Sequence, residues 1–211
     1  MNRLQKMGGA SALIEAALYV ALFVFFGAYW QYPAEASVAE KLAYLAANKV
    51  PLYAANLFGY VLFGVALAVL VLAVHERLKL SSLRLSRLSS VFGLLWAGLV
   101  ITAGMIANTG LLAVVKIAIK EPDRAFATFT TVNVIVEGIG GGNEVVGGLW
   151  VLLLSIAARG GGLSRPLSYF GMFVGSAGIA TVIPGELTRE IFGMSQIVWF
   201  VWLGTVLLRA R

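Results

Sequence analysis

The chain has 211 residues, 60% of them hydrophobic and only 12% charged, with a formal net charge of +6 and a mean hydropathy of +0.89. Soluble domains carry roughly a quarter of their residues as charged groups, so this is the composition of a polytopic membrane protein with an all-α transmembrane bundle; its basic residues lie in short loops and offer no continuous face to a nucleic acid. Cysteine is absent and His75 is the one histidine, which excludes disulfides, thiolate catalysis, iron–sulfur clusters, paired-histidine haem and multi-histidine zinc, and implies no cofactor.

Arg3 and Lys6 precede the first apolar run, about residues 10–30. The run is long enough to span a bilayer, has no small-residue cleavage site, and ends in an aromatic belt of Tyr29, Trp30 and Tyr32. Glu15 lies inside it, expected to pair with a Lys or Arg or to hydrogen-bond inside the bundle. Ser37-Val-Ala-Glu40 then reads as a capping box, with Val38, Leu42 and Leu45 following at helical spacing. A short amphipathic helix on the extracytoplasmic membrane surface is expected there. The second span, about 52–74, begins near Asn56 and runs to His75-Glu-Arg-Leu-Lys79, where His75 reads as a solvated helix-end residue.

A third span, about 89–115, belongs to a run so long that its far end, with Lys116 and Lys120, should leave the hydrocarbon. Pro122 and Asp123 suit a helix start. From there to Ala158 the chain is longer than one crossing needs, so a break is expected in the glycine run Gly138 to Gly142, with a fourth span at about 138–158. Gly160-Gly161-Gly162 and Pro166 lead into a fifth span at about 167–183, Pro184-Gly185-Glu186 stops it, and a sixth runs over about 191–208. Leu85-Ser-Arg-Leu-Ser-Ser-Val-Phe-Gly93 and Leu163-Ser-Arg-Pro-Leu-Ser-Tyr-Phe-Gly171 agree at six of nine positions, an echo that admits parallel hairpin repeats and would set Asn108 level with Glu186.

The stretch Glu137-Gly-Ile-Gly-Gly-Gly-Asn-Glu-Val-Val-Gly-Gly-Leu-Trp150 is the least explicable as filler, because ionisable groups inside a span are costly and usually functional. Were it helical throughout, Glu137, Gly141, Glu144 and Gly148 would share one face without bulk. Close helix packing accounts for most of the glycines, Gly64, Gly98, Gly104, Gly171, Gly175 and Gly178 included. A phosphate loop does not fit, for no strand precedes the segment and no Gly-Lys-Ser/Thr ending follows.

Six spans place both termini on one side of the membrane. That side holds Arg3, Lys6, Arg77, Lys79, Arg84, Arg87, Arg159, Arg165, Arg209 and Arg211, and the other holds Lys41, Lys49, Lys116, Lys120, Arg124 and Arg189. Ten basic residues against six make the terminal side cytoplasmic. In this orientation Asn56, Asn108, Asn143, Glu144, Glu186 and Gln196, with Thr109 and Thr181, fall in the extracytoplasmic half, and Glu137 is nearer the surface. They are the candidate ligand-binding residues of an outward-facing polar pocket with an apolar floor. Taken singly, Asn56, Asn108 and Gln196 also fit as structural hydrogen-bonders between helices, whereas Glu144 has no basic residue of its own span within two turns.

Gly142-Asn-Glu-Val-Val-Gly-Gly-Leu-Trp-Val-Leu-Leu153, Ile197-Val-Trp-Phe-Val-Trp-Leu-Gly204, Trp96 and Gly104-Met-Ile-Ala-Asn108 resemble a bacterial family of small polytopic integral membrane proteins defined as a domain of unknown function. The resemblance implies a multi-pass protein of the bacterial inner membrane and no particular activity. The expected function is therefore binding of a small solute, ion or lipid-like molecule in the pocket, with transport and proton coupling through Glu144 as its extension. The alternative is an accessory or scaffolding subunit of a larger membrane complex, and a homo-oligomer is open in either case. An enzyme is the weakest reading, since no nucleophile–base pair or metal cluster accompanies Glu144 and Asn143.

Overall fold

The computed structural model describes residues 3–141, 144–183 and 185–209, the side chain of Glu186 excepted, and every regular element among them is helical. In chain order these are α1 (Arg3–Val24), α2 (Val38–Ala47), α3 (Lys49–Asn56), α4 (Phe63–Leu78), α5 (Leu83–Ile117), α6 (Pro122–Val136), α7 (Val145–Ala158), α8 (Arg165–Ala180) and α9 (Glu186–Arg209). Three π-helical turns interrupt them: Phe25–Tyr29 extends α1, Leu57–Leu62 joins α3 to α4, and Glu137–Gly141 follows α6.

Five segments are long and apolar enough to cross a bilayer, as a multi-pass membrane protein requires: Arg3–Tyr29, Lys49–Leu78, Leu83–Ile117, Pro122–Ala158 and Leu187–Arg209. The sequence leads one to expect a sixth at about 167–183. Its helix, α8, has 16 residues, which at the α-helical rise cover about 24 Å of a roughly 30 Å hydrocarbon core. Its neighbour α7 is shorter still, with 14 residues. The two form a tight hairpin in which a Cβ on Gly148 would stand 2.5 Å from the Ile179 nitrogen and 2.7 Å from the Gly175 oxygen. Glycine is needed there because backbone meets backbone. Gly98 and Gly138 behave differently: a Cβ on either meets nothing within 4 Å, so helix packing does not explain them.

The fourth segment breaks where the glycine run lies. Gly140 has φ +124°, a conformation open to glycine, and the chain does not continue as one helix through it. Glu137 and Glu144 therefore do not share a helical face; Glu144 precedes the first turn of α7 with φ −100° and ψ 22°.

The bundle packs α1 against α4 and α9, α5 against α4 and α7, and α8 against α7 and α9. Its centre is a column of tryptophans. Trp96 and Trp150 stand 5.8 Å apart, and Trp150 and Trp199 5.6 Å apart. Each rests where a glycine leaves room, Trp96 on Gly147, Trp150 on Gly93 and Trp199 on Gly171. Gly93 and Gly171 end the two halves of the sequence echo, so the halves share this seat for an indole. The correspondence stops beyond it, because α5 runs unbroken past Asn108 while α8 ends at Ala180.

At the end bearing most of the basic residues the two turns are latched together: Arg77 Nε donates to the Gly162 carbonyl at 2.6 Å and Ser81 Oγ to that of Gly161 at 3.2 Å. At the opposite end α5 rises beyond the bundle, and Val114 joins Leu42 and Leu45 of α2 and Ala125 of α6 in a second small core. The Ser37–Glu40 capping box that starts α2 is present: Glu40 N–H donates to Ser37 Oγ at 3.3 Å, and Ser37 N–H donates to Glu40 Oε2 at 2.9 Å.

Candidate functional site

Between the tryptophan column and this cap lies a cavity of about 340 Å³, reached by residues of five different stretches of chain. α1 contributes Tyr19, Leu22 and Phe23, and its π-helical extension adds Phe26, giving a stripe at i, i+3, i+4 and i+7. Gly59 and Tyr60 come from the second π-turn, Phe63 from the start of α4 and Val100 from α5. Glu137 and Gly140 come from the third π-turn, Glu144 from the entry to α7, and Arg189, Phe192 and Gly193 from the first turns of α9. A second cavity of about 270 Å³ adjoins on the cap side, and Phe26, Tyr60 and Glu137 line both.

The three π-turns explain why the helices diverge here. The first two bond i to i+5, widen the helix and turn its side chains out of α-register, whereas the third is a kink at Gly140; such irregular turns occur preferentially at functional sites. Every one of the three supplies a residue of the wall common to both cavities. The shortness of α7 and α8 does the rest. Interrupted or unusually short apolar segments whose ends stop inside the membrane depth are where membrane proteins place binding sites, and non-helical backbone is tolerated there when it lines a cavity.

Glu144 is held from behind. Its backbone N–H donates to Thr181 Oγ1 at 2.9 Å, and that hydroxyl donates to the Gly178 carbonyl at 2.7 Å. One threonine thus ties the start of α7 to the end of α8. The Glu144 side chain lines the cavity, its Oε2 buried without a hydrogen-bond partner. Trp96 Nε1 is likewise buried without a hydrogen-bond partner among the described residues. Glu137 stands nearer the rim, 60% exposed, with Arg189 Nη1 3.9 Å from its Oε1. Glu15 and Tyr60 lie with Glu144 in electrostatic range of the Tyr19 hydroxyl.

Of the residues singled out from sequence, Glu137 and Glu144 meet in the larger cavity and Asn56 lines the smaller. Asn56 Nδ2 also donates to Asn108 Oδ1 at 3.0 Å, and Asn108 Nδ2 to the Tyr53 carbonyl at 3.2 Å, so Asn108 braces α3 against α5 behind the wall. Gln196 does not join them; it is fully enclosed in the bundle, and neither end of its amide finds a partner among the described residues. Asn143 and the side chain of Glu186 lie outside the described residues. Glu15 lies in the bundle interior, 0% exposed, but neither of its expected partners is there: neither oxygen meets a base or any hydrogen-bond donor among the described residues. The aromatic walls were missed altogether, although the Tyr19–Phe26 stripe carries a helical period that can be read off the chain. Among the described residues no three of His, Asp and Glu gather as a metal site. No protein-family model, curated protein or solved structure matches the chain, so the functional reading rests on the residues just described.

Proposed function

We propose that the chain is a six-span protein of the bacterial inner membrane, its termini cytoplasmic, which binds a small ligand in the cavity around Glu144 and opens it to the extracytoplasmic side. In this reading α7 and α8 form a short hairpin as the fourth and fifth crossings, and α2 lies on the outer membrane surface. One observation carries the proposal: two π-helical turns and a helix broken at Gly140 converge on one cavity that holds a carboxylate oxygen without a partner among the described residues. Mere packing would have no use for such a convergence, since each irregular turn forgoes regular hydrogen bonds that a continuous helix keeps. Orientation follows from the charge count, because the cavity is at the end away from the ten-residue basic side.

The absence of cysteine makes the test direct. Single cysteines replace Leu22, Tyr60 or Glu144 in the cavity, and Val50, 70% exposed, or Leu80, 92% exposed, at opposite ends of the bundle. An impermeant maleimide applied to intact cells should label the three cavity positions and Val50→Cys but not Leu80→Cys, with the pattern reversed for Leu80→Cys in inverted vesicles. If the cavity cysteines stay unreactive from both sides in folded protein while both controls label, the pocket is sealed and the accessory-subunit reading replaces this one.

A further inference from the structure

We infer that the ligand of this cavity is a small organic cation with an apolar body, an amine or quaternary ammonium; the inference rests on the reading of the cavity as a ligand site. Charge decides the sign. Two carboxyl groups and one guanidinium line the cavity, and the guanidinium of Arg189 is already beside Glu137 at 3.9 Å. Glu144 is left without a cationic neighbour among the described residues, its Oε2 buried and unpartnered.

Wall chemistry points the same way. Tyr19, Phe23, Phe26, Tyr60, Phe63 and Phe192 line the cavity, and aromatic faces carry negative quadrupolar charge that attracts ammonium groups, most strongly where water is excluded. An anion would meet those faces and Glu144 with only the half-exposed Arg189 to receive it. The backbone N–H of Glu144, which another helix start might have offered, is taken by Thr181. A bare metal ion fits no better, because magnesium and calcium need six or more oxygen ligands and this wall is mostly ring carbon. A volume of about 340 Å³ falls in the range of small-molecule sites.

The test uses purified full-length protein and three probes of one shape: benzyltrimethylammonium, the neutral alcohol benzyldimethylcarbinol, and the anion in which a carboxylate replaces that hydroxyl. Equilibrium dialysis should find the cation bound about tenfold or more tighter than the alcohol, which is the size of one desolvated cation–π or carboxylate contact, and the anion weakest. Glu144→Gln should remove most of that preference. Arg189→Gln, whose side chain is 45% exposed, should strengthen cation binding severalfold by releasing Glu137, in protein whose unfolding midpoint is checked alongside. The inference falls if the alcohol binds as tightly as the cation, if the anion binds best, if none of the three binds, or if Arg189→Gln weakens the cation. Labelling of Tyr60→Cys does not depend on ligand charge, so a labelled cavity with no cation preference sinks this inference alone, while an unlabelled one sinks the ligand site itself.

Discussion

Glu15 and Gln196 set an energetic problem at the scale of single residues. Both are 0% exposed, and four polar side-chain atoms between them have no partner among the described residues. A buried polar group left unsatisfied costs about 1–3 kcal/mol, and an apolar side chain of similar size removes that cost. Glu15→Leu and Gln196→Leu should therefore each raise the unfolding free energy by about 1–3 kcal/mol, read as a higher midpoint in thermal or denaturant unfolding in detergent. A fall in either midpoint would mean that the polar group is satisfied within the bundle after all. Glu144 was legible in the sequence because an acid within an apolar run is conspicuous. Tyr19, Tyr60 and Phe192 were not, since aromatic residues in such a run look the same whether they face lipid, core or cavity. Arg189 was legible only as a loop charge, and its approach to Glu137 depends on how α9 is set against the third π-turn.

Elements divide into those announced by local chemistry and those decided by packing. Ser37 and Glu40 announce α2, and here pH supplies a check. Hydrogen bonds from the Ser37 hydroxyl and amide hold the Glu40 carboxyl below its ordinary value. A depressed folded value means stabilisation that is complete above the unfolded value of 4.5 and is lost as pH falls through the folded one. Amide exchange at the start of α2 should accelerate as pH is lowered through that interval, beyond the intrinsic pH dependence, and Glu40→Gln should flatten the response. Pro122 likewise announces α6, and the glycine run announces the break that Gly140 makes. The π-turns at Phe25–Tyr29 and Leu57–Leu62 left no such mark, because i→i+5 bonding answers to the helices packed alongside more than to a residue preference. Packing also separates the glycines. Gly148→Ala should destabilise the α7–α8 hairpin by about 1–3 kcal/mol through overpacking, whereas Gly98→Ala, facing open space in mid-helix, should stabilise α5 by up to about 1 kcal/mol. Equal shifts in unfolding midpoint for the two would show that the hairpin contact is not tight.

Over the whole molecule, hydropathy located the crossing segments well, because apolar length is what a bilayer demands of a helix. Of the α7–α8 pair, α7 belongs to the candidate segment Pro122–Ala158, while α8, with 16 residues, is shorter than a full crossing needs. The polar layer expected from sequence divides accordingly: Glu137 and Glu144 reach the larger cavity, Asn56 and Asn108 fasten helices beside it, and Gln196 faces inward where the layer has no opening. The tryptophan column has a consequence of its own. Phe63 of the cavity wall touches Trp96 at 5.6 Å, and from Trp96 the indoles follow one another at less than 6 Å to Trp199. Excitation absorbed by any of the three is shared among them by dipolar transfer, so the emission of all three reports on the polarity at one end. Were the proposed ligand to bind beside Phe63, the intrinsic emission, to which Trp30 and Trp202 also contribute, should dim or shift, and loss of that change in Trp96→Phe would trace it to the column.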